Sequence, residues 1–203
     1  MSSQRADFEA AVAAVQGAID QCGRPGMVIG GVAAIAHGVL RTTRDVDATI
    51  VGEGTDLDPL IARLREHDIV PRIDNAVAFA RESHVLLLRH APSNVDVDLS
   101  LAWIEFELDA IAAADEAVVA GTTIRAVNPE DLIIYKLVAW RARDRDDIER
   151  LLQLHAERID LSRVRQLAKE LAEALDDPLR PDELERIIDR AAGTAPPGDR
   201  RGK

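Results

Sequence analysis

At 203 residues, with 47% hydrophobic and 30% charged side chains, the chain is long enough for one substantial core, or for a catalytic unit with a helical appendage, without help from disulfides or a structural metal. Its net charge of −11 is the opposite of a broad basic field, so any nucleic acid would be held at a local patch such as Arg41 and Arg44, or Arg141, Arg143 and Arg145 where that run is not simply a solvated helix face. No apolar run reaches the roughly 18 to 20 residues of a membrane span, no signal-like segment opens the chain, and the single cysteine, Cys22, has no intramolecular partner; no membrane association and a cytoplasmic location are expected.

Helical spacing of Phe8, Ala11, Val12, Val15 and Ile19 predicts a first helix over residues 5–21, stopped by Gly23 and Pro25. Met27 to Gly30 suits a short buried strand, and the alanine-rich Val32 to His37 a helix after a Gly30-Gly31 turn. Asp45 to Val51 alternates acidic or small residues with aliphatic ones, the pattern of a second strand. A helix follows over Asp56 to His67, then short strands at Val77 to Phe79, His84 to Arg89 and Val95 to Leu99. Ile104 to Ala114 is predicted helical, and Val118 to Ile124 as two strands turning at Gly121. From Asn128-Pro129-Glu130-Asp131, a helix start, the chain turns helical: to about Arg141, then Asp144 to His155, Leu161 to Leu175 and Pro181 to Ala192. The expectation is an α+β core over residues 1–127, a C-terminal helical subdomain over 128–192 and a disordered tail over 193–203.

A strand that ends in Gly30-Gly31 and enters a helix brings backbone N–H groups and the positive helix end to one spot, which suits phosphate, although a Gly-Gly pair also serves as a plain tight turn. Asp45 and Asp47, two apart on a strand, project from one face. A wet strand face would carry them without function, but beside a phosphate loop two hard oxygen ligands suit Mg²⁺. Asp96 and Asp98 repeat the spacing on a later strand and offer a third carboxylate. Thr42 and Thr43 either donate hydroxyls to phosphate or shape the turn before the strand. The five histidines show no zinc-ligand spacing, and Trp103 and Trp140 read as core or interface aromatics.

Gly30-Gly31-Val32-Ala33, a small-residue helix, Gly38 and then Arg41-Thr42-Thr43-Arg44-Asp45-Val46-Asp47 resemble the nucleotidyltransferase superfamily of DNA-polymerase-β type, and within it the bacterial branch of the AbiEii-type and MenT-like toxins. Asn128 to Leu132, Lys136, Ala139, Arg141, Arg143-Asp144 and Asp147 are similar to that branch's helical motif, so the resemblance spans about residues 27 to 152. It implies a polymerase-β-like mixed sheet flanked by helices, and transfer of a nucleoside monophosphate from an NTP to an acceptor hydroxyl. It also implies two metal ions, Mg²⁺ or Mn²⁺, on Asp45, Asp47 and a third acid that serves as general base. Asp98 is preferred to Asp96 for that place because Leu99-Ser100-Leu101 follows it as in the family's strand. Lys136 is assigned to triphosphate charge beside the catalytic acids. The nucleotide-binding set is completed by Gly30, Gly31, Arg41, Thr43, Arg44, Arg143, Asp144 and Asp147, although a helix-capping ion-pair cluster explains the last three equally well. The toxin branch implies an RNA acceptor, tRNA 3′ ends in particular, and an antitoxin protein as partner. The alternatives are a protein or small-molecule acceptor, or a non-catalytic module that binds nucleotide or a partner.

Overall fold

A computed structural model describes residues 2–194 apart from 53, 55, 178 and 179. The described chain divides into two compact units: one within Met1–Ala36 and Leu40–Asn128, the other within His37–Val39 and Pro129–Lys203.

The first unit holds all seven strands, in one mixed sheet of order β3-β4-β5-β2-β1-β7-β6. Helix α1 (Ser2–Gln21) buries Ala11, Val12, Val15, Ala18 and Ile19, the face its spacing predicts, and the chain leaves it through Gly23 at φ +75°. Strand β1 (Gly26–Val28) and helix α2 (Gly30–Ala36) follow, so the helix begins at the first glycine of the pair. Strand β2 (Asp45–Val51) pairs antiparallel with β1 and parallel with β5 (Val95–Ala102). Helix α3 (Leu57–Glu66), capped by Asp56, buries Leu57, Leu60, Ile61 and Leu64.

Two local expectations change between α3 and β4 (Val85–His90). Ile69–Pro71 is a three-residue strand, β3, paired antiparallel with β4, and Val77 to Phe79 lies in helix α4 (Ala76–Ser83) rather than in a strand. Three residues of alternation are too few to outweigh the good helix formers around them, and burial of Ala76 and Ala80, four apart, supplies the helical face. His84, left-handed at φ 57°, ends α4 and delivers the chain into β4. Helix α5 (Glu105–Ala112) leads to the hairpin of β6 (Asp115–Val119) and β7 (Thr122–Ala126), whose two turn residues, Ala120 and Gly121, both have positive φ, as a tight right-twisted hairpin requires.

The second unit is helical: α6 (Pro129–Ala139), α7 (Ala142–Leu154), α8 (Leu161–Leu175) and α9 (Arg180–Thr194). Leu132, Ile133, Leu137, Ile148, Leu151, Val164, Leu184 and Ile187 form its core. Trp140, at φ 49°, separates α6 from α7 and carries the guanidinium of Arg180 over its ring at 4.7 Å from the centroid. Helix α9 takes in Gly193 and Thr194, which the sequence assigns to a tail; residues 195–203 of that tail lie outside the described residues. Among the described residues no helix is long and apolar enough to cross a membrane.

Candidate functional site

The alternation of β2 buries Val46, Ala48 and Ile50 on one side of the sheet and leaves Asp45 and Asp47 half-buried on the other. Strand β5 runs beside it in parallel register, Asp45 opposite Asp96 and Asp47 opposite Asp98. Paired residues on neighbouring strands share a face, so four carboxylates occupy one patch on strands about 4.8 Å apart.

Such a patch repels itself unless cations or hydrogen bonds intervene. Arg89, on the same face of β4, donates from Nε to Asp96 Oδ1 at 2.8 Å. Arg72, just beyond β3, places Nη1 2.7 Å from Asp98 Oδ1 and 3.9 Å from Asp96 Oδ2. The Arg72–Asp98 contact is an ion pair without the alignment of a hydrogen bond, and the Asp98 Oδ1 atom is enclosed although 37% of its side chain is exposed. Thr43 Oγ1 donates to Asp45 Oδ1 at 2.6 Å, which fixes the rotamer of that carboxylate.

The glycine turn lies against the second acid. Gly30 has φ +63°, and a Cβ there would overlap the Asp47 carboxylate, with Cγ only 2.7 Å away. Ile29 N donates to Asp47 O at 2.9 Å and ties the turn to β2. A Cβ on Gly31 would fall 2.6 Å from Thr43 Oγ1 and 3.1 Å from Arg41 Nη2, so the segment before β2 packs directly on the start of α2. Arg41 is half-buried, and Arg44 is exposed.

Gly30, Gly31, Arg41, Thr43, Asp45, Asp47 and Asp98 thus gather in the first unit. Lys136, Asp144 and Asp147 form another cluster, in the second. Lys136 is 3% exposed and its Nζ lies 2.6 Å from Asp147 Oδ2 and 3.6 Å from Asp144 Oδ1. Asp144 Oδ2 also accepts the backbone N–H of Arg141 at 3.0 Å, a cap on α7. Arg143 is exposed on the first turn of that helix.

The β2–β5 patch has the donor chemistry of a hard divalent cation: carboxylate oxygens only, part-open to water. Mg²⁺ takes one or two carboxylates and completes its shell with water and substrate oxygens. Among the described residues no group of three or more His, Cys, Asp or Glu side chains is arranged to hold a metal ion, the patch acids being turned to Arg72, Arg89 and Thr43. Arg72 and Arg89 escape the sequence reading. Arg89 was within reach of it, because the alternation of Val85 to His90 puts Arg89 on the face opposite the buried Leu86 and Leu88. Arg72 was not, since the strand it follows, Ile69–Pro71, is too short to carry a pattern.

The family described as "Nucleotidyl transferase of unknown function (DUF2204)" matches residues 9–187. A comparison with curated proteins finds no match. Among solved structures, the antibiotic-resistance factor ANT(2″)-Ia is similar at TM-score 0.51, with 17% identity over 92% of this chain and 91% of that chain. A structure of ANT(2″)-Ia in complex with adenylyl-2″-tobramycin gives TM-score 0.50 and 18% identity over 92% and 97%. JHP933 from Helicobacter pylori gives 0.52 and 16% identity over 93% and 90%. At these identities the likeness is one of fold: an α+β mixed sheet flanked by helices.

Proposed function

Because this chain belongs to that nucleotidyltransferase family, we propose that it moves a nucleoside monophosphate from an NTP to an acceptor hydroxyl at the carboxylate face of β2 and β5. The observation that carries the reading is the parallel register that sets Asp47 beside Asp98 and Asp45 beside Asp96, next to the Gly30 turn. Asp45, Asp47 and Asp98 are assigned to hold Mg²⁺ or Mn²⁺, two ions by the family resemblance. When bound, such ions neutralise phosphate oxygens and sharpen the acceptor hydroxyl as a nucleophile. The acceptor oxygen bonds to the α-phosphorus, the bond from that phosphorus to the bridging oxygen breaks, and pyrophosphate leaves. The acceptor's proton passes to Asp98. Asp98 is favoured over Asp96 because Asp96 already accepts from Arg89 and stands level with Asp45, one pleat further from Asp47. Thr43 holds Asp45 in place, Gly30 lets the turn approach Asp47, and Arg41 and Arg44 are assigned to phosphate charge.

The resemblance to AbiEii and MenT-like toxins supports an RNA 3′ end, tRNA in particular, as acceptor, with an antitoxin as partner. A second reading, a small hydroxylated acceptor, is favoured by the net charge of −11 and by the fold likeness to ANT(2″)-Ia, one structure of which holds adenylyl-2″-tobramycin. The test is incubation of the purified chain with Mg²⁺ or Mn²⁺ and each α-labelled NTP, against total RNA, total protein and an aminoglycoside panel. Label in one fraction that Asp47→Ala abolishes supports the reading and names the acceptor class. Label that persists in Asp45→Ala and Asp47→Ala refutes the assignment.

A further inference from the structure

Arg72 sits where a metal-binding patch has least use for it. Its guanidinium is 2.7 Å from Asp98 Oδ1, an enclosed oxygen without a hydrogen bond, and Asp96 has a cation of its own in Arg89. Nor is Arg72 a loose surface side chain that happens to fall there. Its backbone N–H donates to Leu87 O at 3.0 Å, its Nη1 donates to Leu88 O at 3.2 Å, and its side chain is 21% exposed. The β3–β4 edge therefore presents the guanidinium to Asp98.

Resting on the metal reading above, we propose that Arg72 is a positioning residue that stands in for a metal at Asp98 and competes with it. A guanidinium on Asp98 Oδ1 occupies one of the two carboxylate oxygens and repels a divalent cation, so Asp98 gives the metal its full charge and both oxygens only when Arg72 lets go. The triphosphate is the natural agent of release: it brings negative charge that attracts the freed guanidinium, so full metal loading is coupled to the arrival of NTP. Without nucleotide, the site is held with Asp98 charge-paired and metal affinity reduced.

The test is a calorimetric Mn²⁺ titration of the full chain without nucleotide, with thermal melts to confirm folding. Arg72→Gln, which keeps the length and removes the charge, should tighten Mn²⁺ binding roughly three- to tenfold, the scale of a partly exposed charge interaction acting on a divalent ion. Arg72→Lys, which keeps charge but loses the planar fork, should tighten it by less. In an Asp98→Asn background the Arg72→Gln gain should vanish, because the contested oxygen no longer carries charge. Unchanged or weaker binding in folded Arg72→Gln, or in Arg72→Lys if the glutamine variant does not fold, overturns the proposal, as does a gain that survives Asp98→Asn. Asp47→Ala separates this from failure of the metal reading: if it binds Mn²⁺ like the wild type, the metal assignment falls and takes the Arg72 proposal with it. If it loses binding while Arg72→Gln gains nothing, Arg72 alone is misassigned.

Discussion

Gly30 and Asp47 are in contact so close that any side chain on the first would occupy the carboxylate of the second. Two effects meet at Gly30: a positive φ of +63° and the lack of space. Gly121, at φ +79° with nothing within 4 Å, carries the first effect alone. Gly121→Ala should therefore cost about 1 kcal/mol in urea unfolding. Gly30→Ala should cost more, roughly 2 to 4 kcal/mol, and should lower nucleotidyl transfer at least about tenfold by displacing Asp47. Equal losses in the two variants would show that crowding against Asp47 is of no consequence.

Thr43 holds Asp45 by a hydrogen bond of 2.6 Å to a charged acceptor. Such a bond contributes roughly 1.5 to 3 kcal/mol to stability, so Thr43→Val should lower the melting temperature by several degrees and, by loosening Asp45, should reduce kcat/KM by about tenfold or more. Thr43→Ser, which keeps the hydroxyl, should recover most of the rate. A fully active valine variant would mean that Asp45 is oriented by other contacts.

Lys136 is locked between Asp147 and Asp144 inside the second unit, both partners being buried. Taking away one side of a buried pair leaves charge without compensation, so Lys136→Met should destabilise the chain by roughly 3 kcal/mol or more. Adding Asp147→Leu should restore part of that loss, because an apolar replacement of both partners removes the stranded charge. Denaturant midpoints of the single and double variants decide it; a single-variant loss below about 0.5 kcal/mol would place the pair among ordinary surface bridges.

His90, 5% exposed on β4, has its imidazole held below the usual value of 6.5 by burial, with the nearby Asp68 opposing. The native fold favours the neutral ring, so between the lowered folded value and 6.5 the unfolded chain binds more protons than the native chain does. Stability contributed by His90 is complete above 6.5 and is lost as pH falls through that window. Unfolding free energies measured at several pH values should rise towards neutrality, and His90→Gln should flatten the slope. An identical slope in the variant would remove His90 from the account.

What the sequence made legible was whatever local period could carry. The two-residue alternation of Asp45 to Val51 and of Val95 to Leu99 announced both acid-bearing strands, and the Gly30-Gly31 pair announced the turn beside them. Which acid stands beside which was not legible, because register belongs to the pairing of two strands distant in the chain. The position of Thr43 in the sequence allows either a phosphate donor or a turn former; its bond to Asp45 is a contact that no spacing rule contains. Arg72 was out of reach because Ile69–Pro71 is too short for any periodicity, and Val77 to Phe79 misled for the same reason in reverse.

The parallel pairing of β2 with β5 also bears on how the protein comes to exist. Parallel neighbours require a crossover, here the whole run through α3, β3, α4 and β4, before Asp47 can meet Asp98. Loop-closure entropy is spent before that contact returns anything, which sets the site among the non-local features of this unit, later than its hairpins. A chain still emerging from the ribosome holds Asp45 and Asp47 long before it holds β5. The four-carboxylate patch therefore has no existence until β5, which ends at Ala102 of 203 residues, has been made and paired.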